Sequence, residues 1–263
     1  MTASSASSGE VVWYVLGVTG KLPGEPADGL GDLPALLPDR PLEAVARGDL
    51  RALACRVPAD LLDERATEDL DLVERLARGH DRVLRTLARR TVVVPARLGS
   101  LYPSRQAVAR MLDDNRTALT AALERLSGRF EWGVKVYAEP ARERPAPRPA
   151  AGDRPSGVAY LRRKQAEQEQ RAAAQRDGAA LAAELHRAIA ARAHAAVSRP
   201  QQDPRLSGRR APMLLNGAYL VDRADEEAFA AAVHQLAERH QPAGLRLELT
   251  GPWPPYSFAG LGA

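Results

Sequence analysis

One cysteine and five histidines are the residues of this chain best suited to covalent or metal chemistry. They are Cys55, His80, His186, His194, His234 and His240. No two of the histidines lie four residues apart to form a helical ligand pair, and one thiol cannot supply a thiolate cluster. A nucleophilic mechanism would need a histidine base beside the cysteine or a serine, and the chain contains no G-x-S-x-G elbow. We therefore expect neither a catalytic centre nor a metal site.

Cys55 and His80 each have a structural and a chemical interpretation. Cys55 shares one face of a predicted strand with Leu53 and Val57, which favours a packed and inert thiol. His80 lies in the apolar stripe of a predicted helix, which favours a partly buried histidine with one hydrogen bond. The alternative places His80 against a carboxylate or the Arg97 region. A hydrolase or transferase that uses a folded Cys55 and His80 pair stays a separate alternative.

Nucleotide cofactors have no support in the sequence. The chain lacks the G-x-x-x-x-G-K-[ST] loop, and Gly29-Leu30-Gly31 does not lie between a strand and a helix as a dinucleotide turn requires. We expect no cofactor.

The composition is that of a soluble globular protein that works in a reducing compartment. The hydrophobic fraction is 45% and the charged fraction 27%, and a single cysteine cannot form an intrachain disulfide. The 37 basic residues are nearly balanced by 33 acidic ones, so the net charge of +4 indicates no specific nucleic-acid partner. The N-terminus, Met1 to Gly9, does not resemble a signal peptide, and no stretch approaches about 20 uninterrupted apolar residues, so we expect a cytoplasmic protein without a membrane segment.

A proline-rich segment near the middle of the chain predicts two domains. Pro140 to Pro155 contains five prolines in sixteen positions, which is typical of an extended linker. We therefore predict an N-terminal α+β domain over residues 1–139, a linker rich in proline and arginine over 140–157, and a C-terminal domain over 158–263.

The N-terminal half predicts the element order β-β-β-α-β-α-β. The predicted elements are a strand over 11–18, a hairpin of 42–46 and 50–57, a helix over 67–89, a strand over 91–95, a helix over 104–126 and a strand over 130–138. Ser104 is the expected N-cap of the second helix. Glu131 and Lys135 are expected to form a solvated cross-strand pair. The fold class is α+β, with mixed or antiparallel sheets and helices packed on them.

The C-terminal half predicts a long leading helix and a small sheet. The helix is expected over 158–197, with a break near Asp177-Gly178, and a second helix over 225–240. Asn216-Gly217 between two apolar runs predicts a hairpin, although the same residues are also compatible with one longer strand. The last strand is predicted over 245–250.

The sequence after Thr250, GPWPPYSF, predicts a stiff extended tail. Prolines cannot donate to a strand ladder, so regular structure should stop within two residues of Thr250. Burying each of the rings Trp253, Tyr256 and Phe258 is worth about 1.5 to 3 kcal/mol, so a groove should receive them.

Several of these stretches together resemble the gas vesicle protein F and L family. They are VVWYVLGV, TVVVPARLGSLYPS, GRFEWGVKVYA, AYLVDR and GLRLELTGPWPPYSF. The resemblance implies a two-domain architecture with a ferredoxin-like C-terminal domain. It also implies a non-enzymatic accessory or minor structural protein, in the cytoplasm or at the gas vesicle. Such a protein would bind the hydrophobic shell protein and other accessory proteins, and would assist assembly as a chaperone does.

We hypothesise that a cleft between the two domains presents the apolar surface for the shell protein. The residues expected to bound it are Leu98, Leu101, Tyr102, Trp253, Pro254, Pro255, Tyr256 and Phe258. The alternative is that the tail staples the two domains of its own chain together. An RNA-binding module on a ferredoxin-like sheet is the alternative function, although Phe130 and Trp132 share a face with core valines, which disfavours exposed stacking rings.

Overall fold

The computed structural model describes residues 10–20, 30, 33–38, 40–62, 68–138, 157–201 and 211–260. Contacts divide the chain into two compact units. The first unit comprises Met1–Phe130 and Pro252–Ala263, and the second comprises Glu131–Gly251. The fold is α+β, as predicted, and each unit contains its own sheet and helices.

The sheet of the first unit is antiparallel and has β1 at its centre. Its strands are β1 (Val11–Thr19), β2 (Leu42–Arg47), β3 (Leu50–Pro58), β4 (Val93–Pro95) and β5 (Leu101–Tyr102). The order is β2-β3-β1-β4, and the two-residue β5, which was not predicted, also pairs with β1. The predicted hairpin of β2 and β3 is confirmed, with Gly48 at φ 59° in the turn.

Three helices accompany this sheet. They are α1 (Leu70–Ala88), α2 (Arg105–Asp114) and α3 (Arg116–Leu126). Ser104 caps α2 as predicted, because its hydroxyl accepts the Ala107 N–H. The single helix predicted over 104–126 is wrong at Asn115, whose backbone leaves helical geometry at φ −106° and ψ 13°. The Asn115 amide donates to the Met111 carbonyl, and such local bonds compete with helical ones.

The second unit is built from β6 (Arg129–Ala138), α4 (Gly157–Ala190), β7 (Ala195–Ser198), β8 (Met213–Asp222), α5 (Glu226–His240) and β9 (Leu245–Trp253). Its sheet has the order β7-β8-β6-β9. Because β6 pairs with both β8 and β9, residues from Glu131 onward group with the second unit. This division differs from the predicted domain boundary after residue 139, and it also moves the tail from the C-terminal group to the first unit.

Two predictions about the leading helix are wrong. The helix passes without a break through Gly178 and ends at Ala190, not at residue 197. The alanine-rich residues that follow form β7, which pairs antiparallel with β8. Alanine has the highest helix propensity of all residues, but intrinsic propensity is a weak determinant, and strand pairing with β8 overrides it here.

Asn216-Gly217 lies inside the single strand β8, so the hairpin is wrong and the longer strand is right. The Asn216 amide donates to the Pro200 carbonyl, and the Asn216 carbonyl accepts the Arg199 N–H. These bonds satisfy the asparagine without a turn. Gly217 is needed for space, because a Cβ at this position would lie 2.5 Å from the Tyr219 hydroxyl.

Glu131 is buried, with 3% of its surface exposed, and forms an ion pair with Arg199. The predicted solvated pair of Glu131 and Lys135 is therefore wrong for Glu131. A buried carboxylate needs a charged partner, and β7 leads directly to the arginine that provides it.

The last strand extends to Trp253 and so passes the predicted end at Thr250. Gly251 permits this with φ 134°, a conformation open to glycine. β9 lies at an end of its sheet, where a proline such as Pro252 is tolerated. A short 3₁₀ turn, Tyr256–Phe258, follows. Among the helices of the described ranges, none combines the length and apolar character needed to cross a bilayer.

Candidate binding site beneath the C-terminal tail

A cavity of about 590 Å³ lies in the first unit where the tail meets the sheet and α1. Three segments line it: α1, the end of β4 with the loop that follows it, and the tail. The lining residues are Ala77, His80, Asp81, Pro95, Ala96, Arg97, Leu98, Tyr256, Ser257, Ala259 and Gly260. The predicted site was a cleft between two domains, but every lining residue of this cavity belongs to one unit.

Charged side chains of α1 hold the tail. The Arg85 guanidinium lies 3.5 Å from the centroid of the Trp253 ring, a cation–π contact. The same arginine forms an ion pair with Asp81 across one helical turn, with 2.6 Å between Nε and Oδ2. The other oxygen of Asp81 accepts the Tyr256 hydroxyl at 3.3 Å. One i,i+4 pair of α1 therefore contacts two of the three tail aromatics.

The remaining part of the tail is seated by burial and by one long-range hydrogen bond. Pro254 and Pro255 are buried, and Phe258 keeps 9% of its surface exposed. The Phe258 carbonyl accepts a hydrogen bond from Arg125 Nη2 at 2.9 Å. Tyr256 stays 37% exposed at the wall of the cavity. The tail thus contacts its own chain, and part of its aromatic surface faces solvent.

His80 is buried, with 3% of its surface exposed, and lies at the cavity wall. Its Nδ1 is 2.9 Å from the hydroxyl of Tyr14. That hydroxyl accepts the Gly99 N–H at 3.3 Å, so its own proton is available to donate to Nδ1. With Nδ1 beside the Tyr14 hydroxyl, the imidazole proton lies on Nε2, a buried atom, and the Ala96 backbone is a further hydrogen-bond partner of the ring.

Burial keeps this pair uncharged at neutral pH. It lowers the pKa of His80 to about 4, although the Ala96 backbone and the Asp81 carboxylate oppose the shift. Burial also raises the pKa of Tyr14 to about 12, so the tyrosine keeps its proton. His80 is therefore neutral in the folded protein at pH 7. Its predicted structural role, a buried histidine with one hydrogen bond, is confirmed.

The rim of the cavity combines a cation with an apolar side chain. Arg97 and Leu98 follow β4 and are both exposed, Leu98 with 45% of its surface. Leu101 and Tyr102, which were predicted to bound the same site, form β5 beside β1 and do not line the cavity. Of the predicted site residues, Leu98 and Tyr256 line the cavity, while Trp253, Pro254, Pro255 and Phe258 belong to the tail that covers it.

Three residues that hold the tail were missed from the sequence: Asp81, Arg85 and Arg125. The four-residue spacing of Asp81 and Arg85 was a visible signal for a helical ion pair. Nothing in the local sequence connects Arg85 with Trp253 or Arg125 with Phe258, which are far apart along the chain.

The cysteine alternative finds no support in the geometry. Cys55 is completely buried in the core of the first unit, and burial raises the pKa of its thiol to about 11. Among the described residues, no group of three histidine, cysteine or acidic side chains is arranged to hold a metal ion. The arrangement at the cavity is suited to contact, because it combines apolar walls with one exposed guanidinium.

The protein therefore has an α+β fold, and its first unit contains a cavity that the C-terminal tail covers. A family model, gas vesicle synthesis protein GvpL/GvpF, matches residues 12–260. The chain belongs to this family, as the sequence resemblance predicted.

Curated relatives agree with that assignment. The chain is 42% identical to gas vesicle protein L of Streptomyces sp. (strain CB03234), over 94% of this chain and 92% of the relative. It is 29% identical to gas vesicle protein F of the same strain, over 89% and 92% of the two chains. Gas vesicle protein F2 of Halobacterium salinarum is 24% identical over 74% of this chain and 73% of the relative.

Solved structures share the fold. The crystal structure of GvpF from Anabaena sp. PCC7120 matches with a TM-score of 0.69 at 16% identity and covers 96% of this chain and 98% of that one. GvpF from Microcystis aeruginosa matches with a TM-score of 0.65 at 18% identity, over 95% and 99% of the two chains.

Proposed function

We propose that this protein is a non-enzymatic accessory or minor structural protein that binds the hydrophobic gas vesicle shell protein and assists gas vesicle assembly. Family membership supports the gas vesicle role. The observation that carries the binding role is the cavity beneath the tail, where the exposed Leu98 and the part-exposed Tyr256 line one opening. The protein works in the cytoplasm and at the gas vesicle, with the shell protein and other accessory proteins as partners.

The physical basis of this proposal is reversible cover for an apolar surface. A shell subunit that must bury a hydrophobic face in the vesicle wall would aggregate if that face stayed exposed before assembly. A cavity of about 590 Å³ accommodates a few side chains, not a folded domain. Contact on this scale is weak enough to be released when the subunit joins the wall.

The protein is of the L type in this proposal. The identity of 42% to a gas vesicle protein L, against 29% to a gas vesicle protein F of the same strain, supports this assignment.

We also propose that the two units are two domains and that the second is ferredoxin-like. Its elements follow one another as β6-α4-β7-β8-α5-β9, and its strands are ordered β7-β8-β6-β9. A β-α-β-β-α-β sequence of elements is the signature of that fold, which supports the proposal.

Coexpression with the shell protein, followed by a pulldown and a blot of the vesicle fraction, tests the binding role. We expect Leu98→Asp to reduce capture of the shell protein at least about tenfold, because a carboxylate at the opening opposes apolar contact. Leu70→Asp is the matched control, since Leu70 is 77% exposed at the start of α1 and does not line the cavity. Equal capture by the two variants, both with unchanged melting temperature, would rule out this surface. Absence of capture by the wild-type protein would rule out the proposed function.

A further inference from the structure

We propose that the edge of β2 is a second docking surface, which binds an extended acidic segment of a partner protein as an additional strand of the first sheet. The inference goes beyond the proposed function, because this edge shares no residue with the cavity beneath the tail. What it adds is the shape and charge of a partner: an extended backbone that carries carboxylate side chains.

The first argument is the free edge of β2. In the order β2-β3-β1-β4 this strand lies at one end, and among the described strands it pairs only with β3. Successive residues of an antiparallel pair direct their backbone N–H and C=O groups alternately toward and away from the partner strand. Ala44 faces away from β3, because its carbonyl accepts a hydrogen bond from Arg105 Nη2 at 3.4 Å. Leu42 and Ala46, two residues to either side, therefore offer their backbone groups in the same direction.

The second argument is a groove along this edge. A cavity of about 670 Å³ is lined by Leu42, Ala44 and Ala46 of β2 together with the loop that precedes the strand. Every lining residue belongs to the first unit. Leu30 and Leu33 of the loop supply apolar surface beside the three outward-facing residues. The groove thus combines strand-pairing groups with a wall for apolar side chains, as sites that bind an extended peptide by strand addition do.

The third argument is the charge of the groove. The guanidinium-bearing residues Arg40, Arg51 and Arg105 line it, and Glu43 is the one acidic lining residue within the described part of the chain. The Glu43 carboxylate is already engaged, at 2.6 Å from Arg56 Nε and 4.0 Å from Arg105 Nη1. Arg40 and Arg51 are half-buried and form no ion pair with any described residue. A carboxylate that enters the groove therefore meets two uncompensated cations, and guanidinium groups bind carboxylates with paired donors.

Charge also selects the occupant. A second copy of the chain, docked edge to edge, would bring two sets of three arginines together, and like charges across paired strands are unfavourable. A basic segment is opposed for the same reason. An acidic segment is attracted, and apolar side chains between its carboxylates cover the leucines of the loop.

The test compares two fluorescein-labelled peptides that differ only in the sign of their charge, Glu-Val-Glu-Val-Glu-Val and Lys-Val-Lys-Val-Lys-Val. Each is titrated against the full-length protein at low salt, and binding is followed by fluorescence anisotropy. We expect the Glu peptide to bind at least about tenfold more tightly than the Lys peptide. Hydrogen exchange at residues 42–47 should slow only with the Glu peptide, because strand pairing protects backbone N–H groups.

An N-methylated Glu peptide separates strand addition from simple attraction between charges. Methyl groups on its two central backbone nitrogens block both edges of the added strand and leave every carboxylate in place. We expect this peptide to bind at least about fivefold more weakly than the unmethylated one. Equal affinity of the two forms would reject strand addition.

Two matched pairs of variants locate the site. Arg105→Gln should weaken binding of the Glu peptide about fivefold, whereas Arg110→Gln should not, because Arg110 is exposed on the same helix and does not line the groove. Ala46→Pro removes an outward N–H and should abolish binding, whereas Ala46→Ser keeps that N–H and should retain it. All three positions are exposed, so the melting temperatures of the variants should stay unchanged.

The outcomes that overturn the inference are distinct from those that bear on the proposed function. Equal affinity for the Glu and Lys peptides, or unchanged exchange at residues 42–47 with millimolar Glu peptide, would show that the arginines only keep a free edge from aggregating. Either result would reject the docking surface even if the protein captures the shell protein.

Discussion

Each unit joins a helix to its sheet by a hydrogen bond between a buried strand tyrosine and a helix histidine, yet the two bonds have different consequences. Tyr14 and His80 are 2.9 Å apart in the first unit, and Tyr219 and His186 are 2.8 Å apart in the second. Both tyrosines are completely buried. His80 is buried as well, whereas His186 is only half-buried. The same bond therefore fixes a buried histidine at the wall of a cavity in one unit and a half-buried histidine in the other.

The glycines of the two helices show how closely each helix approaches its neighbours. A Cβ at Gly79 of α1 would lie 2.4 Å from the Leu36 carbonyl oxygen, a backbone atom. A Cβ at Gly178 of α4 would lie 3.2 Å from a methyl carbon of Leu214, the end of a flexible side chain. Helix α1 therefore packs directly against backbone at Gly79, whereas α4 leaves room at Gly178 for a methyl group if the Leu214 side chain moves.

Gly79→Ala should be the most damaging single change. The new methyl group cannot fit without moving the backbone at Leu36, so we expect the free energy of unfolding to fall by about 3 kcal/mol. Urea denaturation measures the change. An alanine at Gly79 that leaves stability unaltered would show that the loop carrying Leu36 yields without cost.

Acidification should destabilise the protein through His80. Because the folded state holds the pKa of His80 at about 4, the unfolded chain binds the extra proton once the pH falls below about 6.5. The contribution of His80 to the free energy of unfolding is fully present above that pH and is lost as the pH falls toward 4. About 2 kcal/mol of it should be lost between about pH 7 and pH 5.

The difference between wild-type protein and His80→Gln isolates this contribution from that of the carboxylates. The variant should lose less free energy of unfolding over the same pH range, and His186→Gln serves as the control because His186 is half-buried. Parallel pH profiles for wild type and His80→Gln would contradict the assignment.

Removal of the two tyrosine hydroxyls should have unequal effects. Tyr14→Phe leaves both His80 Nδ1 and the Gly99 N–H without a partner, and we expect a loss of about 2 kcal/mol. Tyr219→Phe leaves only Nδ1 of the half-buried His186 without its partner, and water can reach that atom. We expect the free energy of unfolding to fall by about 1 kcal/mol. Chemical denaturation of the two variants under the same conditions gives the comparison, and equal losses would mean that the depth of the histidine is irrelevant.

Gly178→Ala should have the smallest effect and the opposite sign. Alanine is the better helix former by up to about 1 kcal/mol, and the Leu214 side chain can move aside. We expect a gain of about 0.5 kcal/mol in the free energy of unfolding and a small rise in melting temperature. A loss as large as that of Gly79→Ala would show that α4 is packed as tightly as α1.

Local patterns in the sequence predicted most strands and helices of the first unit. The run Val11–Thr19 is rich in β-branched and aromatic residues, and Gly48 marks the turn between β2 and β3. The pattern could not predict β5, which is two residues long and exists because β1 offers it an edge. The break at Asn115 depends on one side-chain hydrogen bond, and the spacing of apolar residues carries no information about such a bond.

In the second unit and at the candidate site, the features that could not be predicted from the sequence depend on long-range contacts. Alanine-rich β7 is a strand because β8 pairs with it, and Glu131 is buried because Arg199 reaches it. The aromatic tail was recognisable from its composition, since Phe258 needed burial. Its attachment to Arg85 and Arg125 depends on residues more than a hundred positions away, which no local pattern encodes.

The ends of the second unit have a consequence for how this chain can be divided. The unit begins at Glu131 and finishes at Gly251, and a Cβ on Gly251 would lie 3.0 Å from the Glu131 carbonyl oxygen. The second unit is thus an insertion whose two ends are neighbours, the arrangement that tolerates excision and circular permutation. We therefore expect that a short linker can close residues 131–251 into a ring, and that joining residue 130 to Pro252 keeps the cavity residues together in a smaller protein.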